Sequence, residues 1–140
     1  MYKLSKKFRF ETAHRLAKGY VGKCSNIHGH SWNGEISVSC SELNSVGMAI
    51  DFSDLKTVCS IIEDIFDHKL VLYKDDPIKD ELDDFPVPIF YMNDNPTSEV
   101  IGKYILDKAR DLLIEMGKGN LRDLCVVVEE TCTSRCEVSY

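Results

Sequence analysis

The chain has 140 residues, 44% of them apolar and 29% charged, with a net charge of −6. A chain of this size is expected as one domain over residues 1–140, able to bury roughly two thirds of the surface its unfolded form exposes. The acidic balance argues against general nucleic-acid binding, which calls for a basic stripe, and no apolar run approaches the ~20 residues a membrane helix needs.

Met1 to Lys7 lack the apolar stretch of a secretory signal, so the expected location is the cytoplasm. The six cysteines, Cys24, Cys40, Cys59, Cys125, Cys132 and Cys136, are then expected as thiols. Cys40, Cys59 and Cys125 lie in apolar patterns and read as small core residues. Cys132 and Cys136 have no CxxC or adjacent histidine and make a weak second metal candidate.

Residues 7 to 14 alternate, with Phe8, Phe10, Thr12 and His14 on one face and Arg9, Glu11 and Ala13 on the other, which predicts a strand. Gly19 to Asn26 has no period and reads as a loop. From His28 to Cys40 the alternation returns: His28, His30, Trp32, Gly34, Ile36 and Val38 share one face, and a serine-rich set lines a solvated one. From Asp51 the period becomes helical, with Leu55, Val58, Cys59, Ile62 and Phe66 on one stripe and Asp51 or Ser53 as N-cap. This helix ends near Asp67-His68.

Residues 74 to 88 are acidic, contain three prolines and read as a surface loop, followed by a short apolar, extended run, Ile89 to Met92. Asn95-Pro96-Thr97-Ser98-Glu99 has the cap, proline and acid of a helix start. Ile101, Tyr104, Ile105, Ala109, Leu112 and Leu113 continue its stripe to Gly117. Leu121 to Glu130 is β-branched and strand-like, and Glu137 to Tyr140 forms a last short strand. The order strand, strand, helix, helix, strand, strand predicts an α+β fold, helices on one face of an antiparallel sheet.

Three of the four histidines point to a metal. His28 and His30, at i and i+2 on a strand, project to the same side, and His14 ends the preceding strand on its inward face. Sequential strands usually pair, so the three imidazoles can converge, leaving one position open as in a catalytic zinc site. Cys24 has two readings: a reactive thiolate beside Lys23 and the metal, or a fourth ligand that closes the site. Asp67-His68 is either a charge favouring the helix C-terminal dipole or an acid/base pair. Glu130 shares the parity of Val126 and Val128, so it is a carboxylate on a buried face that needs partners; Glu129 faces the other way.

Taken together, Phe10 to Leu16, Cys24-x-x-x-His28-Gly29-His30, Gly47 to Phe52, Asp67-His68, Pro96-Thr97-Ser98-Glu99 and Glu130-Thr131-Cys132-Thr133 resemble the 6-pyruvoyl-tetrahydropterin synthase and 6-carboxytetrahydropterin synthase family over nearly the whole chain. The spacing from Cys24 to His28, and the Glu-Thr-Cys-Thr ending, resemble the 6-carboxytetrahydropterin branch of the queuosine pathway. The sequence departs from the usual family pattern after His68, at Lys69 to Lys74.

The resemblance implies a tunnelling fold: a four-stranded antiparallel sheet with two helices on one face, order ββααββ, whose trimers close a barrel and stack as a homohexamer with active sites between subunits. It implies zinc on His14, His28 and His30, and a pterin triphosphate substrate, 7,8-dihydroneopterin triphosphate. Cys24 is implied as the base, Asp67 and His68 as the proton relay and Glu130 as the pterin anchor, with Thr97 and Ser98 as further pterin contacts. The implied products are 6-carboxy-5,6,7,8-tetrahydropterin, acetaldehyde and triphosphate. Two alternatives stand beside this: elimination to 6-pyruvoyl-tetrahydropterin, and a non-catalytic zinc-stabilised pterin-binding module.

Overall fold

The computed structural model describes residues 1–119 and 121–140. Two long strands form first in chain order, β1 (Tyr2–His14) and β2 (His28–Cys40). They pair antiparallel along their full length, from Tyr2 opposite Cys40 to His14 opposite His28. The connection between them includes a 3-10 turn at Lys23–Ser25. Alternation places Phe8, Phe10, Trp32, Ile36 and Val38 in the core. Gly34 lies opposite Phe8 because a Cβ there would stand 2.1 Å from the Phe8 ring.

Helix α1 (Phe52–Phe66) starts where the Asp51 carboxylate accepts the Ser53 backbone N–H at 2.8 Å. It buries Leu55, Val58, Cys59, Ile62 and Phe66, a single stripe at helical spacing. The later helix α3 (Ser98–Glu115) is capped by Thr97 and buries Ile101, Ile105, Leu106, Ala109, Leu112 and Leu113. Gly102 lets α3 sit close on the sheet, since a Cβ there would meet Val138 at 2.9 Å. Both helices pack on the same face and share one core with the inward residues of the strands. Burying these aliphatic and aromatic side chains stabilises the fold by roughly 1.5–3 kcal/mol each.

The α+β class and the shared helical face are as expected; the sheet is larger. It has six strands in the order β4-β3-β1-β2-β5-β6. Two short strands lie between the helices in sequence, β3 (Lys69–Tyr73) and β4 (Ile89–Met92). They run parallel to β1 and to each other, so the sheet is mixed. Lys69 to Tyr73 gave no clear strand signal because Leu70, Val71 and Leu72 are all buried; a strand covered on both faces loses its alternation. The acidic stretch before β4 contains a one-turn helix, α2 (Lys79–Leu82). β5 (Arg122–Thr131) and β6 (Ser134–Ser139) form a hairpin, so the last strand begins three residues before Glu137.

Two local expectations also shift. Ser37 and Ser39 are buried, at 3% and 5% exposure, although their face of β2 is otherwise polar. β2 is central there, flanked by β1 and β5, and larger neighbours cover the small hydroxyls. Asp76, within the acidic stretch, is fully buried. Its carboxylate accepts two bonds from Arg15, at 2.9 and 3.0 Å, and one from the Ile78 backbone N–H. This two-point ion pair ties the segment after β1 to the loop after β3.

Candidate active site

His14, at the end of β1, lies opposite His28, at the start of β2. With His30 two residues on, one ligand atom from each ring falls within 4.8 Å of the others, an arrangement able to hold one metal ion. Two of these rings have their tautomer set by the backbone. His14 Nδ1 lies 2.7 Å from the Pro96 carbonyl, and His28 Nδ1 lies 2.8 Å from the Asn26 carbonyl. A carbonyl only accepts, so each Nδ1 carries the proton and each Nε2 presents a lone pair.

His14 is 2% exposed. Its Nε2 and that of His30 are buried without a hydrogen-bond partner. Burial holds the His14 pKa below its usual value, keeping the ring neutral, as metal ligation requires. Orphaned nitrogen lone pairs that converge in a buried place are costly unless a cation takes them. The residues therefore fit a metal with a preference for imidazole nitrogen.

Glu130 lies on the same side. One carboxylate oxygen is 3.5 Å from His30 Nε2 and the other 4.0 Å from His14 Nε2. The Ser98 hydroxyl donates to Glu130 Oε2 at 3.3 Å, linking the start of α3 to the end of β5. Thr97 uses one lone pair to cap α3, accepting from Val100 N–H at 3.3 Å, and its own O–H remains able to donate. Glu129, of opposite parity, lines a separate surface cavity with Lys7, Asn33 and Arg135.

Cys24 lies in the 3-10 turn, half-buried and reduced. Its carbonyl accepts the Leu16 N–H at 2.8 Å, which docks the turn against the end of β1. Its sulfur is not part of the three-histidine donor group. The neighbouring Cys24 thiol pushes the Tyr20 phenol pKa up. Tyr20 folds back over Gly22, where a Cβ would stand 2.7 Å from its hydroxyl.

Asp67 and His68 sit between α1 and β3. Asp67 Oδ1 accepts the Glu11 backbone N–H at 2.7 Å, and Oδ2 is 2.9 Å from His68 Nδ1. The Glu11 N–H holds the Asp67 carboxyl below its usual range. His68 has φ 56°, the left-handed region that a side chain of this kind seldom enters. Its N–H bond to the Glu11 carbonyl, at 2.7 Å, secures that conformation. The ring is 79% exposed and borders an open depression with Glu11, Thr12, Ala13, His30 and Ser31, so one of the three histidines lines the same depression. Among the described residues, no hydrogen bond or ion pair links this dyad to the three histidines.

The chain thus gathers His14, His28, His30, Glu130 and Ser98 in one place, with Thr97 beside Ser98 at the start of α3 and His68 bordering a depression that His30 also lines. Three partners escaped sequence reasoning: the Pro96 carbonyl, the Asn95 side chain that braces it against Lys18, and the Arg15–Asp76 pair. Each joins positions 61 to 82 apart in sequence, and no local period encodes such a contact.

An α+β sheet with helices on one face carries convergent imidazoles and a carboxylate at one end of its central strands, a frame able to hold a metal ion. A family model described as 6-pyruvoyl tetrahydropterin synthase matches residues 3–140, and the chain belongs to that family and is an enzyme of that kind. A curated relative from Aquifex aeolicus, named 6-carboxy-5,6,7,8-tetrahydropterin synthase, is 31% identical over 156 residues, 97% of this chain and 96% of its own. A relative of the same name from Synechocystis sp. is 35% identical over 143 residues, 96% of this chain and 90% of its own. Among solved structures, an uncharacterized protein from Wolinella succinogenes superposes with a TM-score of 0.84 at 21% identity, covering 99% of this chain and 97% of its own. The Plasmodium falciparum 6-pyruvoyl tetrahydropterin synthase superposes with a TM-score of 0.78 at 22% identity, with the same coverage. At these identities the structural neighbours establish the fold, the tunnelling fold of the family.

Proposed function

We propose that this chain is a 6-carboxytetrahydropterin synthase. In this reading it is a zinc-dependent carbon–carbon lyase that converts 7,8-dihydroneopterin triphosphate and water to 6-carboxy-5,6,7,8-tetrahydropterin, acetaldehyde and triphosphate, within cytoplasmic queuosine biosynthesis. The observation that carries it is the His14 ring: its proton is committed to the Pro96 carbonyl, and its buried, unpartnered Nε2 joins those of His28 and His30 beside Glu130. The names of the curated relatives support the choice of reaction.

Zinc held by His14, His28 and His30 would supply Lewis acidity toward the side-chain oxygens of the substrate. The other roles fall to the chain itself. Cys24, as thiolate, removes a carbon-bound proton from the substrate side chain. Glu130, steadied by Ser98, pairs its two oxygens with the 2-amino group and ring N–H of the pterin. Thr97 offers its hydroxyl proton to the same ring. His68, oriented by Asp67, moves protons on and off the substrate oxygens.

Within one chain no hydrogen bond or ion pair joins the dyad to the histidines among the described residues, although His68 and His30 border one open depression. We infer that the working site is completed by a second copy, as a homohexamer of two trimers with active sites at the subunit interfaces. The outer strands β4 and β6 leave hydrogen-bonding edges that such closure would satisfy.

Incubating zinc-loaded protein with 7,8-dihydroneopterin triphosphate, with acetaldehyde and pterin product both assayed, tests the reading. Equal amounts of acetaldehyde and 6-carboxy product are expected. Triphosphate release with a 6-pyruvoyl product and no acetaldehyde would assign the sibling elimination instead. Tight pterin binding without turnover would leave a binding module.

A further inference from the structure

His14 owes its ligating tautomer to one carbonyl, that of Pro96, and that carbonyl is not part of a regular element. Pro96 lies between β4 and α3, and it is buried. What fixes it is the residue before it. The Asn95 side chain accepts the Lys18 backbone N–H through Oδ1 at 2.9 Å and donates through Nδ2 to the Lys18 carbonyl at 2.8 Å. This is a two-point bond to a backbone residue, the same exchange a neighbouring strand would make. Asn95 also donates its own N–H to Asp94 Oδ1 at 2.8 Å and accepts the Thr97 N–H at 2.8 Å. All four of its polar groups are committed.

The consequence reaches both sides of the site. Lys18 is four residues beyond His14 and six before Cys24, and between them Leu16 N–H is bonded to the Cys24 carbonyl. The Asn95 amide therefore holds the segment that leaves the metal ligand in register with the segment that supplies the ligand's acceptor. We propose that Asn95 is a positioning residue, whose amide staple on Lys18 sets the Pro96 carbonyl against His14 Nδ1 and thereby fixes the metal affinity of the three-histidine site. This rests on the zinc reading above.

Only an amide suits the position. Aspartate keeps the size but has two acceptors, so it would turn an oxygen toward the Lys18 carbonyl and lose the donor. Glutamine keeps both functions one methylene further out. The partner's side chain is not involved: the Lys18 ammonium goes to Asp94 at 3.2 Å and over the Tyr73 ring.

Asn95→Asp and Lys18→Ala proteins are to be compared with wild type in zinc competition against a chromogenic chelator. In parallel, the metal-free proteins are examined by thermal unfolding and by nitrogen-detected NMR of the His14 tautomer. Asn95→Asp is expected to weaken zinc by about tenfold, the lower end of what losing a partner of a ligating histidine costs. It should also mix the His14 tautomers in the metal-free protein, with Lys18→Ala matching wild type in both. If Asn95→Asp does not fold, Asn95→Gln carries the same comparison. A purely structural role would lower the unfolding temperature of the metal-free protein and leave zinc affinity and tautomer unchanged; that result overturns the proposal. Equal loss in Lys18→Ala overturns it as well, by assigning the effect to the ammonium. Wild type that binds no zinc defeats the functional reading itself, and an unmixed His14 tautomer in the variant would then separately defeat the role given to Asn95.

Discussion

The two places along β1 to which the proposed chemistry is assigned are built oppositely. At the inner face, His14 is 2% exposed, bonded at Nδ1 and bare at Nε2. Three residues earlier, the Glu11 peptide holds Asp67 from one side and the His68 backbone from the other, and the His68 ring is 79% exposed. The inner group has its ligand atoms converged and buried. The outer group is complete in its own hydrogen bonds and open to solvent. Burial orients the first before any ligand arrives, whereas the second acquires its low-dielectric setting only when another surface covers it. In the proposed reading the two groups are half-sites that a second copy of the chain joins.

The largest break in this comparison comes at the inner group. His30→Ala should lose bound zinc and lower turnover by at least ~10³-fold, the equivalent of several kcal/mol of transition-state stabilisation. Elemental analysis and kcat check it together. Normal turnover without zinc would detach the histidines from the chemistry.

Next comes the pair of adjacent glutamates at the end of β5. Glu130→Ala should raise KM for the pterin substrate by roughly 10–100-fold, as expected when a charge-assisted hydrogen bond of about 1.5–3 kcal/mol is removed. Glu129→Ala, on the other face beside Lys7 and Arg135, should leave KM within about twofold, a surface-substitution effect. Equal effects would mean that strand parity does not separate their roles.

A smaller effect sharpens the comparison directly. His30→Ala and His68→Ala proteins, each inactive alone, are to be unfolded together and refolded as a mixture. If one copy's histidines work with another copy's dyad, random assembly at a symmetric interface gives about one quarter intact sites. Recovery of about that fraction of wild-type activity is expected. No recovery would place both half-sites in the same chain.

How much of this was legible beforehand follows from where each signal is stored. The inner group was legible because two alternating strands put His14, His28 and His30 on the apolar parity, and pairing of sequential strands did the rest. Glu130 was legible by the same rule. The helical stripes were also plain, since α1 and α3 each bury one face. β3 was not, because a strand covered on both sides shows no period. Asp76 could not be told from Asp75, since its burial depends on Arg15, 61 residues away. Cys24 was left with two readings, and its absence from the donor group removes the support for closing the site with a fourth ligand. The bonding of the dyad to the Glu11 backbone was equally hidden, because that contact joins positions 56 apart in sequence.

The finest test concerns what holds the outer group in readiness. The Glu11 N–H, bonded to Asp67 at 2.7 Å, lowers the Asp67 pKa below its ordinary value of 3.8. As pH falls, the unfolded carboxyl takes up its proton first and the folded one later. The folded state therefore gains stability from this group above the unfolded value and loses it as pH falls through the lower, folded value. Because Asp67 is 41% exposed, the contribution is under about 1 kcal/mol. Chemical unfolding of wild type and Asp67→Asn from neutral to strongly acid pH measures it. The stability difference should hold steady down to about pH 4 and then shrink. A difference that persists to the lowest pH would show that the amide fails for reasons of shape. In that case the bond to Glu11, not the charge on Asp67, is what keeps His68 in its left-handed turn.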